Sequence, residues 1–351
     1  MRLLDRIARS RAPLRLALDR SPGTPFEVTG PSRYAARLAE CPLRFVLGDD
    51  LTRACAELAF ADGARLAGCL DLLRIPARQM WIEWNDEVHQ RVIYETESAA
   101  EYDTAASGRR VGVFLQGSAD GYGAVARTFW SHAAADESSE VNLSPLETHI
   151  DLCNGFTETS DIPGVLSGGF ARVSDQDDAA MASLLDHVRF RFDESWAAYY
   201  RAAAINPDSQ RRLVHASLAA VARDVPLLLA FFLLLSAKDA TRSTPVSRAA
   251  INRKRQALGR APLLDHIEVR ASLDAVHDTD PGGSGLAGRQ SPRLHHVRGH
   301  LVRREDRVFW RVPHLRGSAS RGMVRSRTVC LSFGRPRAAI QTSDSTSLRL
   351  H

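Results

Sequence analysis

At 351 residues, 44% of them hydrophobic and 25% charged, the chain can hold two ordinary domains and is too apolar for a disordered one. Its formal net charge is +5, and all but Lys238 and Lys254 of the 46 basic residues are arginine, so arginine abundance alone says nothing of function. Its five cysteines form no C-x-x-C pair, which argues against a disulfide framework or a thiolate zinc site and for a reducing, cytoplasmic compartment.

The opening MRLLDRIARSRAPLRL is basic but lacks the apolar core of a secretory signal. Residues 32–75 read as helical, because Leu51, Ala54, Leu58, Leu66, Leu70 and Leu73 recur at three- and four-residue steps, with Asp50 as a predicted N-cap. The period then changes. QMWIEWN (79–85), RVGVFLQG (110–117) and AVARTFW (124–130) read as an antiparallel meander with glycine turns. LETHIDL (146–152) alternates again and sets Glu147, His149 and Asp151 on one face, either a weak acid–base cluster or the solvent face of a half-buried strand. A long helix is predicted from about Asp178 to Ala204, and a second from Pro207 to Lys238, kinked or divided at Pro226. The apolar run Val225–Ala237 is too short for a membrane span and suits a buried helix, so no membrane partner is expected.

Residues 238–262 read as a loop with a short helix and HIEVRASLDA (266–275) as a strand. The predicted class is α+β: a body over 1–277, with helices at 32–75 and 178–238 and strands at about 79–152 and 266–275. A Gly/Pro-rich linker or loop covers 278–292, a small basic β-hairpin or meander module 293–335, and a tail 336–351.

The terminal module holds most of the charge. From Arg289 to Arg337 thirteen arginines stand against Glu305 and Asp306, a local charge of +11, and such a field attracts phosphate or an acidic partner. A hairpin turning at Glu305–Asp306 would set Leu301 opposite Trp310 and Val302 opposite Phe309. One face, with Val297, Leu301, Val308, Trp310 and Val312, would pack. The other, with Arg298, His300, Arg304, Arg307, Phe309 and Arg311, and Arg316 beyond it, would present cations around one aromatic, as phosphate contact and base stacking require. The same register separates the histidines: His296 and His300 lie about 13 Å apart along a strand, whereas zinc needs ligands about 2 Å from one point, so no metal is expected. No P-loop, nucleophile elbow or H-E-x-x-H occurs, and no cofactor is expected.

The order WIEW (81–84), INRKRQALGRAPL (251–263) and HHVRGHLVRR…VFWRVPHLRG…RSRTV resembles a family of uncharacterised bacterial, phage and mobile-element proteins that end in an R-G-H-x-x-R…W-x-x-P-H-x-R-G segment. The resemblance covers roughly residues 80–85 and 250–330 and implies a mobile-element setting, but no activity or catalytic residue. The expected function is therefore that of a non-catalytic nucleic-acid-binding accessory protein. The alternatives are an assembly protein docking on an acidic protein surface, or on itself through the acidic stretch 136–194, and a hydrolase or nuclease using Glu147, His149 and Asp151.

Overall fold

The computed structural model describes residues 2–18, 21–97, 108–131, 141–156, 160–173, 179–203, 206–272, 293–297, 300–304, 307–311, 314–316 and 318–323. From the N-terminus, α1 (Leu3–Ile7) precedes a two-stranded ladder of β1 (Leu14–Leu18) and β2 (Ser21–Val28). Then follow α2 (Ala35–Glu40), β3 (Leu43–Leu47), α3 (Asp49–Ala56) and α4 (Gly63–Ala67). β4 (Gln79–Asn85) runs directly into α5 (Asp86–Glu97); with β5 (Arg110–Gly117) and β6 (Gly123–Ser131) it forms the expected antiparallel meander, which β7 (Val141–Asp151) extends. The middle of the chain supplies α6 (Ile162–Leu166), β8 (Phe170–Ala171), α7 (Ala179–Leu185), β9 (Val188–Phe192), α8 (Glu194–Ala203), α9 (Pro207–Ala222) and α10 (Asp224–Ser236). After them come β10 (Thr241–Val246), α11 (Ala249–Ala257) and β11 (His266–Ala271).

The class is α+β, built on a nine-stranded sheet in the order β10-β11-β3-β4-β5-β6-β7-β9-β8. β11, β3 and β4 run parallel to their neighbours in that trio, and every other pair is antiparallel. Pro245 lies in β10, at the sheet edge where a missing N–H breaks no ladder.

Both faces of the sheet are covered. Met80, Ile82 and Trp84 of β4 join the large core beneath α3, α9 and α10, while Trp81 joins a smaller one with Leu3, Leu4 and Ile7 of α1, Leu38 of α2, Phe114 and Phe129. A Cβ on Gly112 would lie 2.2 Å from Cζ2 of Trp81, so only glycine lets the indole lie across β5. Beside it the buried Glu83 accepts from the backbone N–H groups of Leu3 and Leu4, both at 3.0 Å, and clamps α1 to the sheet.

α10 is the most deeply buried helix described. Its seven leucine and phenylalanine side chains from Leu227 to Leu234 are all buried, a gross stabilisation on the order of 10–20 kcal/mol before conformational entropy is subtracted. The helical run divides at Arg223, so Pro226 falls in the first turn of α10, where its missing N–H costs nothing. As one stretch, Pro207–Ser236 is long and apolar enough to cross a membrane, and 78% of its most apolar window is buried inside the fold.

Two helical expectations are corrected. Residues 32–75 are not helical throughout, because β3 lies between α2 and α3. α3 also begins earlier than expected, capped by Gly48 with Asp49 and Asp50 in its first turn. Residues 178–204 are not one helix, because β9 separates α7 from α8. Val188, Phe190 and Phe192 alternate inward along β9, and pairing with β7 outweighs the helical spacing that Val188 and Phe192 also satisfy. α5 and β10 had no counterpart in the sequence reading.

The C-terminal strands are β12 (Arg293–Val297), β13 (His300–Arg304), β14 (Arg307–Arg311), β15 (His314–Arg316) and β16 (Ser318–Met323). The chain divides into two compact units. The first is Met1–Leu273 together with Gly299–Val312, so the β13–β14 hairpin belongs with the body; the second is Asp274–Arg298 with Pro313–His351. Within the second unit β12 pairs with β15 antiparallel and with β16 parallel.

Candidate functional site

The hairpin pairs His300 with Arg311, Leu301 with Trp310, Val302 with Phe309, Arg303 with Val308 and Arg304 with Arg307, the register expected from sequence. Its turn at Glu305–Asp306 lies outside the described residues. One face is anchored: Leu301 is 3% exposed in the large core and Val308 packs against the same core. On that face Arg303 grips Asp71 through two bonds, Nη1–Oδ1 at 2.9 Å and Nη2–Oδ2 at 2.7 Å, and donates to the Gly68 carbonyl. The Arg303 hydrogen bond holds the Asp71 carboxyl below its usual range. Exposed pairs of this kind contribute at most about 1 kcal/mol, so Leu301 dominates the anchoring.

The opposite face exposes Arg304, Arg307 and Arg311, with Phe309 and Val302 half-buried between them. Arg304 and Arg307 are direct cross-strand partners, and like charges so placed destabilise a sheet by a few tenths of a kcal/mol or more. A bound polyanion would remove that repulsion. Lys238, exposed at the end of α10, makes a parallel bridge to Phe309 and adds a cation that sequence reading had not connected with the hairpin. Of the other residues expected on this face, Arg298 lies outside the described residues. His300 is described by its backbone on β13, and Arg316 by its backbone on β15 in the second unit.

Glu147, His149 and Asp151 do share one face of β7, in positions opposite β6 and β9. Arg127, Glu147 and Arg191 are aligned across β6, β7 and β9. Glu147 accepts from Arg191 at 2.7 and 3.2 Å and from Arg127 at 3.4 Å, and Nε2 of His149 lies 3.5 Å from its Oε2. Contact with His149, and then the two guanidiniums, hold the Glu147 carboxyl down to about 2 against the opposing effect of burial. A carboxylate ionised that firmly is far from the operating range of a general acid or base. Asp151 accepts from the backbone N–H groups of Cys153 and Asn154, both at 3.0 Å, and so shapes the turn after β7. Arg189 stacks on Phe170 and Phe156, 3.7 and 4.2 Å from the ring centres, beside a cleft of about 550 Å³ that His149 also lines. The arrangement can tie three strands together; proton transfer would need a freer carboxylate.

A third cluster was not picked out from sequence. Asp86 and His89, one turn apart at the start of α5, meet Asp224 at the start of α10, with donor atoms within 4.8 Å of one another and all three residues buried. His89 Nδ1 lies 3.4 Å from Asp86 and 3.8 Å from Asp224, and Arg109 donates to the other oxygen of Asp86 at 2.7 Å. Burial opposes ionisation of Asp86, but His89 and Arg109 outweigh it and hold the carboxyl below its usual value. Burial, then Asp86, pushes Asp224 well above the carboxylate range. With Asp86 tied to Arg109 and His89, and Asp224 at the head of α10 beside them, these buried residues close the junction of two helices. The available sequence signal was D-x-x-H where a strand ends, plus one acid at the head of an apolar run.

Comparison with protein-family models, with curated proteins and with solved structures finds no match.

Proposed function

We propose that the protein is a non-catalytic nucleic-acid-binding accessory protein that grips phosphate backbone with the outward face of β13–β14. The observation that carries this reading is the exposure of Arg304, Arg307 and Arg311 on the face that also bears the half-buried Phe309, while the other face is held in the core. Guanidiniums spaced along a strand contact successive phosphates, and an aromatic among them offers a base a stacking surface. The phage or mobile-element setting rests on the resemblance of the terminal segment, and a cytoplasmic location accords with it.

Fluorescence anisotropy with short single-stranded DNA and RNA over a range of salt concentrations tests the proposal. Changing Arg304, Arg307 and Arg311 together to Ala should weaken binding at low salt and flatten the plot of log affinity against log salt by about 2 units, roughly 0.7 per lost phosphate contact. Affinity that ignores salt, or that survives the triple substitution in a folded protein, overturns it. Retention on an acidic protein with no affinity for either nucleic acid would instead favour an assembly role.

A further inference from the structure

A cleft of about 1020 Å³ lies in the first compact unit, away from the hairpin residues, and is lined by Leu47 and Gly48 at the end of β3 and by residues of α1, α3, α11 and β11. β3 runs parallel to β11 on one side and β4 on the other, so the cleft opens where carboxyl ends of parallel strands converge. That is the usual place for a ligand in sheets of this kind.

Arg2, Arg110, Arg248, Arg255 and Arg270 line it, facing Asp5, Asp49, Asp50 and Glu268. Each acid is already engaged: Glu268 with Arg270 at 2.7 Å, Asp50 with the Ala271 N–H at 3.2 Å, Asp49 with Asn85 at 3.3 Å, and Asp5 with the Leu264 N–H at 2.9 Å. Arg110 donates to Glu83. Arg2, Arg248 and Arg255 remain, and among the described residues none of the three forms an ion pair with a carboxylate.

Nη1 of Arg2 and Nε of Arg248 are buried with no hydrogen-bond partner. Behind them His266, 4% exposed, also leaves Nε2 without one. Burial, then Arg248 and Arg110, depress Arg2 against the opposing pull of Glu83, and burial with Arg2 depresses His266. Leaving a charged donor buried and unsatisfied costs more than leaving a neutral one so, and an anionic acceptor removes the cost.

We propose that this cleft binds a phosphomonoester, with Arg2, Arg248 and Arg255 receiving its phosphoryl group. A phosphomonoester dianion presents three peripheral oxygens in a tetrahedron and can accept from three guanidiniums at once, whereas a flat carboxylate has one charge and two oxygens. The volume exceeds what a phosphate group needs and leaves room for an organic body such as a nucleoside. The phosphomonoester can come from a free nucleotide or from the 5′ end of a nucleic acid. The site does not depend on the hairpin reading.

Isothermal titration calorimetry and thermal-shift measurements on the full chain test it with AMP, adenosine, inorganic phosphate, and one oligonucleotide carrying either a 5′-phosphate or a 5′-hydroxyl. AMP should bind and raise the melting temperature while adenosine does neither. If the source is a nucleic-acid end, the 5′-phosphorylated strand should bind at least tenfold better than its 5′-hydroxyl twin. The double substitution Arg248→Gln and Arg255→Gln should cost at least tenfold in phosphate-dependent affinity, whereas the Arg304, Arg307 and Arg311 triple variant keeps it. Should the double variant not fold, Arg255→Gln alone serves, since α11 contributes no buried residue. Phosphorylated and unphosphorylated probes binding alike, none binding, or full affinity in the arginine variants would overturn the assignment without touching the hairpin proposal.

Discussion

Replacing Glu147 with Gln should change how the protein responds to acid. The Glu147 carboxyl is lowered from 4.5 to about 2, first by His149 and then by Arg191 and Arg127. A carboxyl depressed on folding contributes stability that is complete above its ordinary value and is lost as pH falls from there toward the folded value. The fall from 4.5 to about 2, at about 1.4 kcal/mol per tenfold change in the ionisation constant, gives the linkage a ceiling of about 3.5 kcal/mol. Glu147 is 20% exposed and Arg191 43%, so screening reduces the expected effect to about 1–2 kcal/mol. The assay is urea denaturation of both proteins, followed by tryptophan fluorescence, at intervals from neutral pH down to about 3. At neutral pH the variant should be less stable by about that amount, since two guanidiniums lose their anionic partner and keep only an amide oxygen. The gap should narrow on acidification, because only the wild type loses this contribution. A gap that stays constant between pH 6 and 3 would refute the argument that this ladder is held by an ionised Glu147.

Leu301→Ala should cost about 2–4 kcal/mol and remove hydrogen-exchange protection from β13 and β14, because Leu301 is the buried anchor of the hairpin; an unchanged melting temperature would show that the hairpin is held otherwise. Asp86→Asn strands Arg109 and should cost about 3 kcal/mol or more, read as a drop in stability to urea. Because burial and then Asp86 raise Asp224, its contribution is complete below the ordinary carboxyl value and is lost as pH rises from there toward the folded one, so Asp224→Asn should gain on the wild type as pH rises; melting temperatures at a series of pH values from about 4 upward check the sign.

The meander, the divided apolar helix and the hairpin register were legible in the chain because each is governed by neighbours in sequence. β5 and β6 alternate around a short glycine turn, α10 is apolar on every side, and the alternation along β13 and β14 fits the register in which Leu301 lies opposite Trp310. β3 and β9 were not legible. LRFVL and VRFRF are short apolar runs whose spacing suits helix or strand, and only pairing with β4 and β7 chooses between them. The candidate sites divide in the same way. Arg304, Arg307 and Arg311 could be assigned to one face from the two-residue period alone. That Arg303 would meet Asp71, some 230 residues earlier, could not.

The sequence by itself determined the α+β class, the most buried helix and a hairpin with one packing and one cationic face, because periodicity and charge pattern are local properties of a chain. Only the tertiary structure decided which ionisable groups are spent and which are left over. It set Glu147 between two arginines, brought Asp224 to Asp86 and His89 from more than a hundred residues away, and left Arg2, Arg248 and Arg255 without an ion-paired carboxylate at one cleft. The reason is electrostatic: burial and the few ångströms between groups set the energy of a charge, and sequence separation sets neither.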